Sequence, residues 1–193
     1  MKKFTGAVVL AAALAIPVAA LADGTTTTDQ QNAAKECKAL LKAAGQTNFA
    51  ATWGKNANKK NAFGKCVSSK AKEEATERSD AQSNGAKDCK AEKAQSDADF
   101  SAAHNGQTFA QFYGAKNANS AYGKCVSTKA KQNKSDADQK DKDGVSAAKF
   151  CKGEQSKDAA AFKTTYRNFG ACVSKKAHEL NAQRQQEQQQ TQS

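Results

Sequence analysis

The feature that most restricts how this chain can fold is a cysteine frame written three times. The first copy reads Cys37-Lys38, then Phe49 and Trp53, then Phe63-Gly64-Lys65-Cys66-Val67-Ser68 followed by Lys70-Ala71. The second reads Cys89-Lys90, Phe109 and Tyr113, then Tyr122-Gly123-Lys124-Cys125-Val126-Ser127 and Lys129-Ala130. The third reads Cys151-Lys152, Phe162 and Tyr166, then Phe169-Gly170-Ala171-Cys172-Val173-Ser174 and Lys176-Ala177. Nine of the twelve aromatic residues beyond position 22 fall in this frame. Each copy is therefore read as one structural unit.

Within a copy the spacing is helical. Phe and Trp or Tyr stand four apart, which puts both rings on one face of a short helix. The aromatic residue three before the second cysteine and the valine one after it also differ by four. With no proline after Pro17 and abundant Ala, Lys, Gln and Glu, intrinsic preference favours helix throughout. Each unit is expected to hold a helix bearing one cysteine, a short aromatic helix, and a helix bearing the other. The aromatic rings are expected to form the core. Gly64, Gly123 and Gly170 are costly in a helix, and a close backbone approach beside each disulfide would account for them. Lys55-Asn56-Ala57-Asn58 and Lys116-Asn117-Ala118-Asn119, inserts absent from the third copy, read as connectors that cap the next helix.

The stretches between copies, residues 68–88 and 127–149, are charged and polar. They read as solvated helices or linkers, with Asn84-Gly85 and Asp143-Gly144 as expected breaks. The fold expected is all-α: three tandem small helical units at residues 23–75, 76–135 and 136–182, each stapled by one disulfide. The glutamine-rich run at 183–193 is read as a disordered tail or frayed helix.

Compartment follows from the N-terminus. Met1-Lys2-Lys3, an apolar stretch from Ala7 to Ala19 and Ala20-Leu21-Ala22 form the pattern of a bacterial-type signal peptide over residues 1–22, cleaved after Ala22. An exported chain with six cysteines is expected to pair them, and fifteen connectivities exist. The repeat favours Cys37–Cys66, Cys89–Cys125 and Cys151–Cys172. The competing arrangement joins Cys66 to Cys89 and Cys125 to Cys151, leaving Cys37 with Cys172. Staples are needed, because beyond position 22 only three Leu, four Val, no Ile and eight Phe occur in 171 residues. That is too little for an ordinary hydrophobic core.

The usual patterns of catalytic and metal chemistry are missing. No C-x-x-C occurs, and His104 and His178 lie outside the frame, so zinc is not expected. In the acidic segment 136–144, taking Gly144 as the sixth position of a calcium loop puts Gln139 first and Phe150 twelfth, where acidic ligands belong. No nucleophile elbow, metalloprotease pair or phosphate-cradling glycine loop is present. The frame holds no carboxylate common to all three copies. No catalytic residue, metal or cofactor is therefore expected.

Charge carries the functional expectation. The chain has 30 Lys and Arg against 19 Asp and Glu, and loss of Lys2 and Lys3 takes the net charge from +11 to +9. Nearly all the bases are lysine, which favours diffuse attraction to polyanions over bidentate recognition. The candidate contacts are the lysines recurring after the cysteines: Lys38, Lys90 and Lys152, with Lys70, Lys129 and Lys176. The expected partners are anionic polymers of the cell envelope or surroundings, bound by a secreted or wall-associated protein with no membrane span after cleavage. Two other readings are an extracellular nucleic-acid binder and an inhibitor or effector acting on a foreign protein.

The segments Asn61-Ala62-Phe63-Gly64-Lys65-Cys66-Val67-Ser68 and Tyr122-Gly123-Lys124-Cys125-Val126-Ser127 resemble a group of uncharacterised secreted proteins of actinobacterial type. Those are similar in having a signal peptide followed by Ala- and Lys-rich repeats that end in F-G-K-C-V-S. The third copy departs from that pattern at Ala171. The resemblance implies export and a repeat architecture, and implies no activity.

Overall fold

A computed structural model describes residues 24–190; the expected signal peptide at 1–22 lies outside the described residues. Among these residues eight helices follow one another: α1 (Thr27–Ala44), α2 (Gln46–Trp53), α3 (Ala62–Lys93), α4 (Asp97–Ala103), α5 (Phe109–Phe112), α6 (Ala118–Lys157), α7 (Ala159–Tyr166) and α8 (Phe169–Gln190). No strand occurs among the described residues. The disulfides are Cys37–Cys66, Cys89–Cys125 and Cys151–Cys172, with Cα separations of 6.0, 5.9 and 6.0 Å. The intra-unit pairing is the one found, and all six cysteines are fully buried.

The second insert caps its helix as expected, but the first does not: α3 opens at Asn61 without a side-chain cap, because Asn61 Oδ1 accepts from the Lys55 amide of the insert instead. Thr26 caps α1 through a reciprocal pair with Asp29, Asn117 caps α6 through the Ser120 amide, and Asp158 caps α7. Asn168 accepts from the Ala171 amide at 2.8 Å and so opens α8 without the insert of the other copies. The paired rings ride on short helices: Phe49 with Trp53 at 6.5 Å, Phe109 with Tyr113 at 5.0 Å, Phe162 with Tyr166 at 5.2 Å. The leading Phe of each pair is buried. Phe63 departs from the expected core role, being 37% exposed at the edge of its cluster.

The units are not beads on a string. α3 carries the second cysteine of the first unit and the first cysteine of the second, and α6 does the same for the second and third. Neither expected break exists: Asn84-Gly85 lies inside the 32-residue α3, and Asp143-Gly144 inside the 40-residue α6. Each glycine costs about 1 kcal/mol in a helix, and interhelical packing outweighs that in segments otherwise made of helix formers. The glutamine-rich run is helical through Gln190, held to α6 by the pair between Arg184 and Asp143.

Because α3 and α6 run antiparallel from the Cys89–Cys125 staple, Cys66 lies alongside Ala148. The first and third units thus share one core, with Phe169 and Val173 packed against both. The second unit, with Phe100 and Phe109, closes the far end. At 1.5 Å per residue the two ends of α3 marked by its cysteines stand roughly 35 Å apart. Between them the buried apolar residues are small, among them Ala71, Ala81 and Ala147, with Gly85 beside them. Small residues let the helices approach closely, which explains how so few large apolar side chains suffice.

Gly64, Gly123 and Gly170 do not serve the close approach expected of them. A side chain at Gly64 or Gly123 would meet nothing within 4 Å, and one at Gly170 would stand 3.5 Å from its neighbour Asn168 Oδ1. A close approach between helices is instead found at Gly85, on the α3 face that meets α6.

Candidate polyanion-binding surface and the carboxylate cluster beneath it

The six lysines named from the frame divide into two groups. Lys38, Lys90 and Lys152, which follow the first cysteine of each pair, are exposed. A cysteine buried on the inner face of a helix turns the next residue, about 100° further round, towards solvent. Lys70, Lys129 and Lys176 lie one helical turn past the second cysteine, which brings them back over the packed side. Lys129 pairs with Glu92 at 3.0 Å, and Lys176 pairs with Glu179 at 3.1 Å while lying over the Phe150 ring. Lys70 is the most enclosed, its side chain 13% exposed and its ammonium 2.8 Å from both Glu36 and Glu73 and 3.0 Å from Asp141.

Lys70 belongs to a cluster built from three helices. A second ammonium, Lys134 on α6, pairs with Glu74 at 2.8 Å, Glu77 at 3.3 Å and Asp138. Six carboxylates therefore face two ammonium groups where α1, α3 and α6 meet. Burial works against the Lys70 and Lys134 charges, but the surrounding carboxylates outweigh it and hold both pKa values above the ordinary lysine range. Burial pushes the Glu36 carboxyl up to about 7, against the pull of Lys70 and with the help of Asp141 and Glu73. Burial, aided by Asp141, also raises Glu77. Glu36 Oε2 is covered and receives no hydrogen bond.

Chemically, such a cluster can hold a proton near neutrality. Ligand atoms of Glu36, Glu74 and Asp141 lie within 4.8 Å of one another, the spacing of a cation site. The Lys70 and Lys134 ammonium groups already stand among these oxygens, so a metal would have to displace them. A groove of about 380 Å³ opens beside Glu36, Glu74, Asp138 and Asp141. The sequence does not single out these carboxylates, because residues 68–88 and 127–149 read as solvated; the only local trace is the spacing of Lys70, Glu73, Glu74 and Glu77 on one helix face.

Two carboxylates outside the cluster, Asp29 and Glu92, are also held by ion pairs that shift them. Asp29, buried at the start of α1, takes both nitrogens of the Arg78 fork, at 3.4 and 3.0 Å. Burial works to raise its pKa, but Arg78 and the Thr26 cap prevail and hold it below the ordinary value. In the second unit the Tyr113 hydroxyl donates to Glu92 at 2.6 Å, beside Lys129. These contacts outweigh burial and keep Glu92 below its ordinary value, while burial and Glu92 together raise Tyr113.

His104 stacks on Phe100 at 3.9 Å, and its Nδ1 lies 2.8 Å from the Phe100 carbonyl. It is part of the aromatic packing of the second unit. Comparison with protein-family models, curated proteins and solved structures finds no match to this chain.

Proposed function

We propose that this chain is a non-catalytic, exported helical protein that binds anionic polymers of the cell envelope or its surroundings through exposed lysines. The observation that carries the reading is the sorting of charge. Among the described residues 21 lysines and Arg167 are exposed, against ten exposed carboxylates. Several remaining carboxylates are drawn into the α1–α3–α6 cluster and paired there. The outer surface is thus positive by about two to one, and its recurring members are Lys38, Lys90 and Lys152. Linked units of this kind bind a polymer through many weak contacts, raising effective concentration without any strong single site.

The test is sedimentation of the oxidised protein with poly(glycerol phosphate), polyphosphate and purified envelope, at low and physiological salt. The expected result is binding that weakens with salt and weakens further in the triple variant Lys38→Ala/Lys90→Ala/Lys152→Ala. Absence of binding at low salt would overturn the reading. The nucleic-acid alternative draws less support, because stacking on successive bases needs a row of open rings. Here the leading Phe of every pair is buried and Tyr113 is held by Glu92.

A further inference from the structure

The first unit differs from the other two at the ring that ends the short aromatic helix. In the first unit this is Trp53, the only tryptophan of the chain. It lies half-buried at the end of α2, with its inner side against Phe49. Beside it runs a groove of about 340 Å³ bordered by Thr52, Lys55, Lys65, Ser68, Ser69 and Lys72, with no carboxylate in its wall. Lysines, three hydroxyls and one aromatic ring converge on a space the size of a single small ligand.

The groove is also prepared. Lys55 follows Gly54 directly after the tryptophan, and its backbone amide donates to Asn61 Oδ1 at 3.1 Å. Lys59 reaches back to the Gly54 carbonyl at 3.0 Å. The loop that carries Lys55 is therefore pinned to the start of α3, which carries Lys65. Ordering it in advance lowers the cost of binding.

The other two units lack this arrangement at the same positions. In the second, Tyr113 replaces the tryptophan and gives its hydroxyl to Glu92, a carboxylate that would repel an anion, while the Lys65 counterpart Lys124 donates to the Gly114 carbonyl. In the third, Ala171 stands in place of Lys65, the insert bearing Lys55 is absent, and Lys175 lies 5.8 Å from the centre of the Tyr166 ring.

We infer that the Trp53 groove is a binding site for one phosphorylated sugar unit, with the indole receiving the apolar face of the sugar ring and Lys55 and Lys65 holding the phosphate. This rests on the polyanion reading above and names the repeating unit a polymer would present. Lysine suits a phosphate as a point charge, and the serine and threonine hydroxyls suit the sugar. A single ring fits one sugar and is a poor platform for a strand of stacked bases.

Trp53 supplies its own reporter, since no other tryptophan contributes to the emission. The oxidised protein is titrated with glucose 6-phosphate, glucose, inorganic phosphate and an oligothymidylate, following fluorescence and, in parallel, heat of binding. Glucose 6-phosphate is expected to shift the emission saturably, with glucose and phosphate each at least about tenfold weaker. Lys65→Ala and Lys55→Ala, both at exposed positions, are expected to weaken it about tenfold, and Lys124→Ala to leave it unchanged. Calorimetry on Trp53→Phe tests the ring without relying on its emission, with weaker binding expected. Equal affinity for inorganic phosphate, preference for the oligonucleotide, or indifference to Lys65→Ala would overturn the site. If poly(glycerol phosphate) still sediments with the protein in that case, the general reading stands and only this site falls; if neither polymer nor sugar phosphate binds, both fall.

Discussion

Gly85 of α3 lies against the backbone of Ala130 on α6, so that a methyl group at position 85 would stand 3.0 Å from the Ala130 nitrogen and 3.2 Å from the Val126 carbonyl oxygen. The partners are main-chain atoms of a long helix, which cannot move aside singly. Gly85→Ala is therefore expected to destabilise the protein by about 1–2 kcal/mol, overpacking outweighing the gain in helix propensity. A methyl group at Gly144, also inside α6, would meet nothing within 4 Å, and Gly144→Ala is expected to stabilise by about 0.5–1 kcal/mol. Urea denaturation of both variants checks the opposite signs.

Glu36 links stability to pH. Its folded pKa stands near 7, above the ordinary 4.5, so the folded state binds the extra proton between those values. Its contribution is present in full below pH 4.5, declines as pH rises, and is gone above pH 7, a change on the order of 2 kcal/mol once solvent screening is allowed for. Glu36→Gln is expected to flatten the fall in unfolding free energy between about pH 5 and pH 7.5. Asp29 and Glu92 act in the opposite direction, lowered in the fold and losing their contribution as the solution is acidified.

Lys70 sits where removal of one charge strands several others. Lys70→Ala leaves Glu36, Glu73 and Asp141 without their shared ammonium. A loss of about 3 kcal/mol is expected at about pH 8, with partial recovery near pH 5 as Glu36 takes up its proton. Lys38→Ala, at an exposed position, is expected to change stability by less than about 0.5 kcal/mol. Thermal unfolding at the two pH values checks the contrast.

How much of this is readable in the sequence depends on the range over which each feature acts. The disulfide partners and the paired rings repeat within a few dozen residues and emerge when the copies are aligned. The joining of the first and third units does not, because it depends on the lengths of α3 and α6 and on their antiparallel return. The role of Lys70 is hidden for the same reason: Glu36 and Asp141 are distant in sequence and meet only when three helices pack. Gly85 and Gly144 look alike as helix breakers, and only the neighbouring helix distinguishes them. At the Trp53 groove, the residues Lys55 and Lys65 are visible as parts of an insert and a motif, but their convergence on one ring depends on the turn after α2.

The Cys89–Cys125 staple stands apart from the other two. Its double variant, Cys89→Ala/Cys125→Ala, is expected to cost roughly 3–4 kcal/mol in overall stability. The loss of amide protection should concentrate in α4, α5 and the adjoining ends of α3 and α6, while the shared core around Phe49 and Phe169 keeps its protection. Hydrogen exchange followed by mass spectrometry checks that distribution.

The serial placement of the staples also sets how the chain bears load. The three disulfides bridge sequence separations of 29, 36 and 21 residues, and a pull on its two ends would pass through the sulfur bonds and bypass those loops. At about 3.5 Å per residue, roughly 300 Å of contour length is withheld from extension until the bonds are reduced. Stretched in an oxidising environment, the molecule is a short tether whose reach a reductant would lengthen.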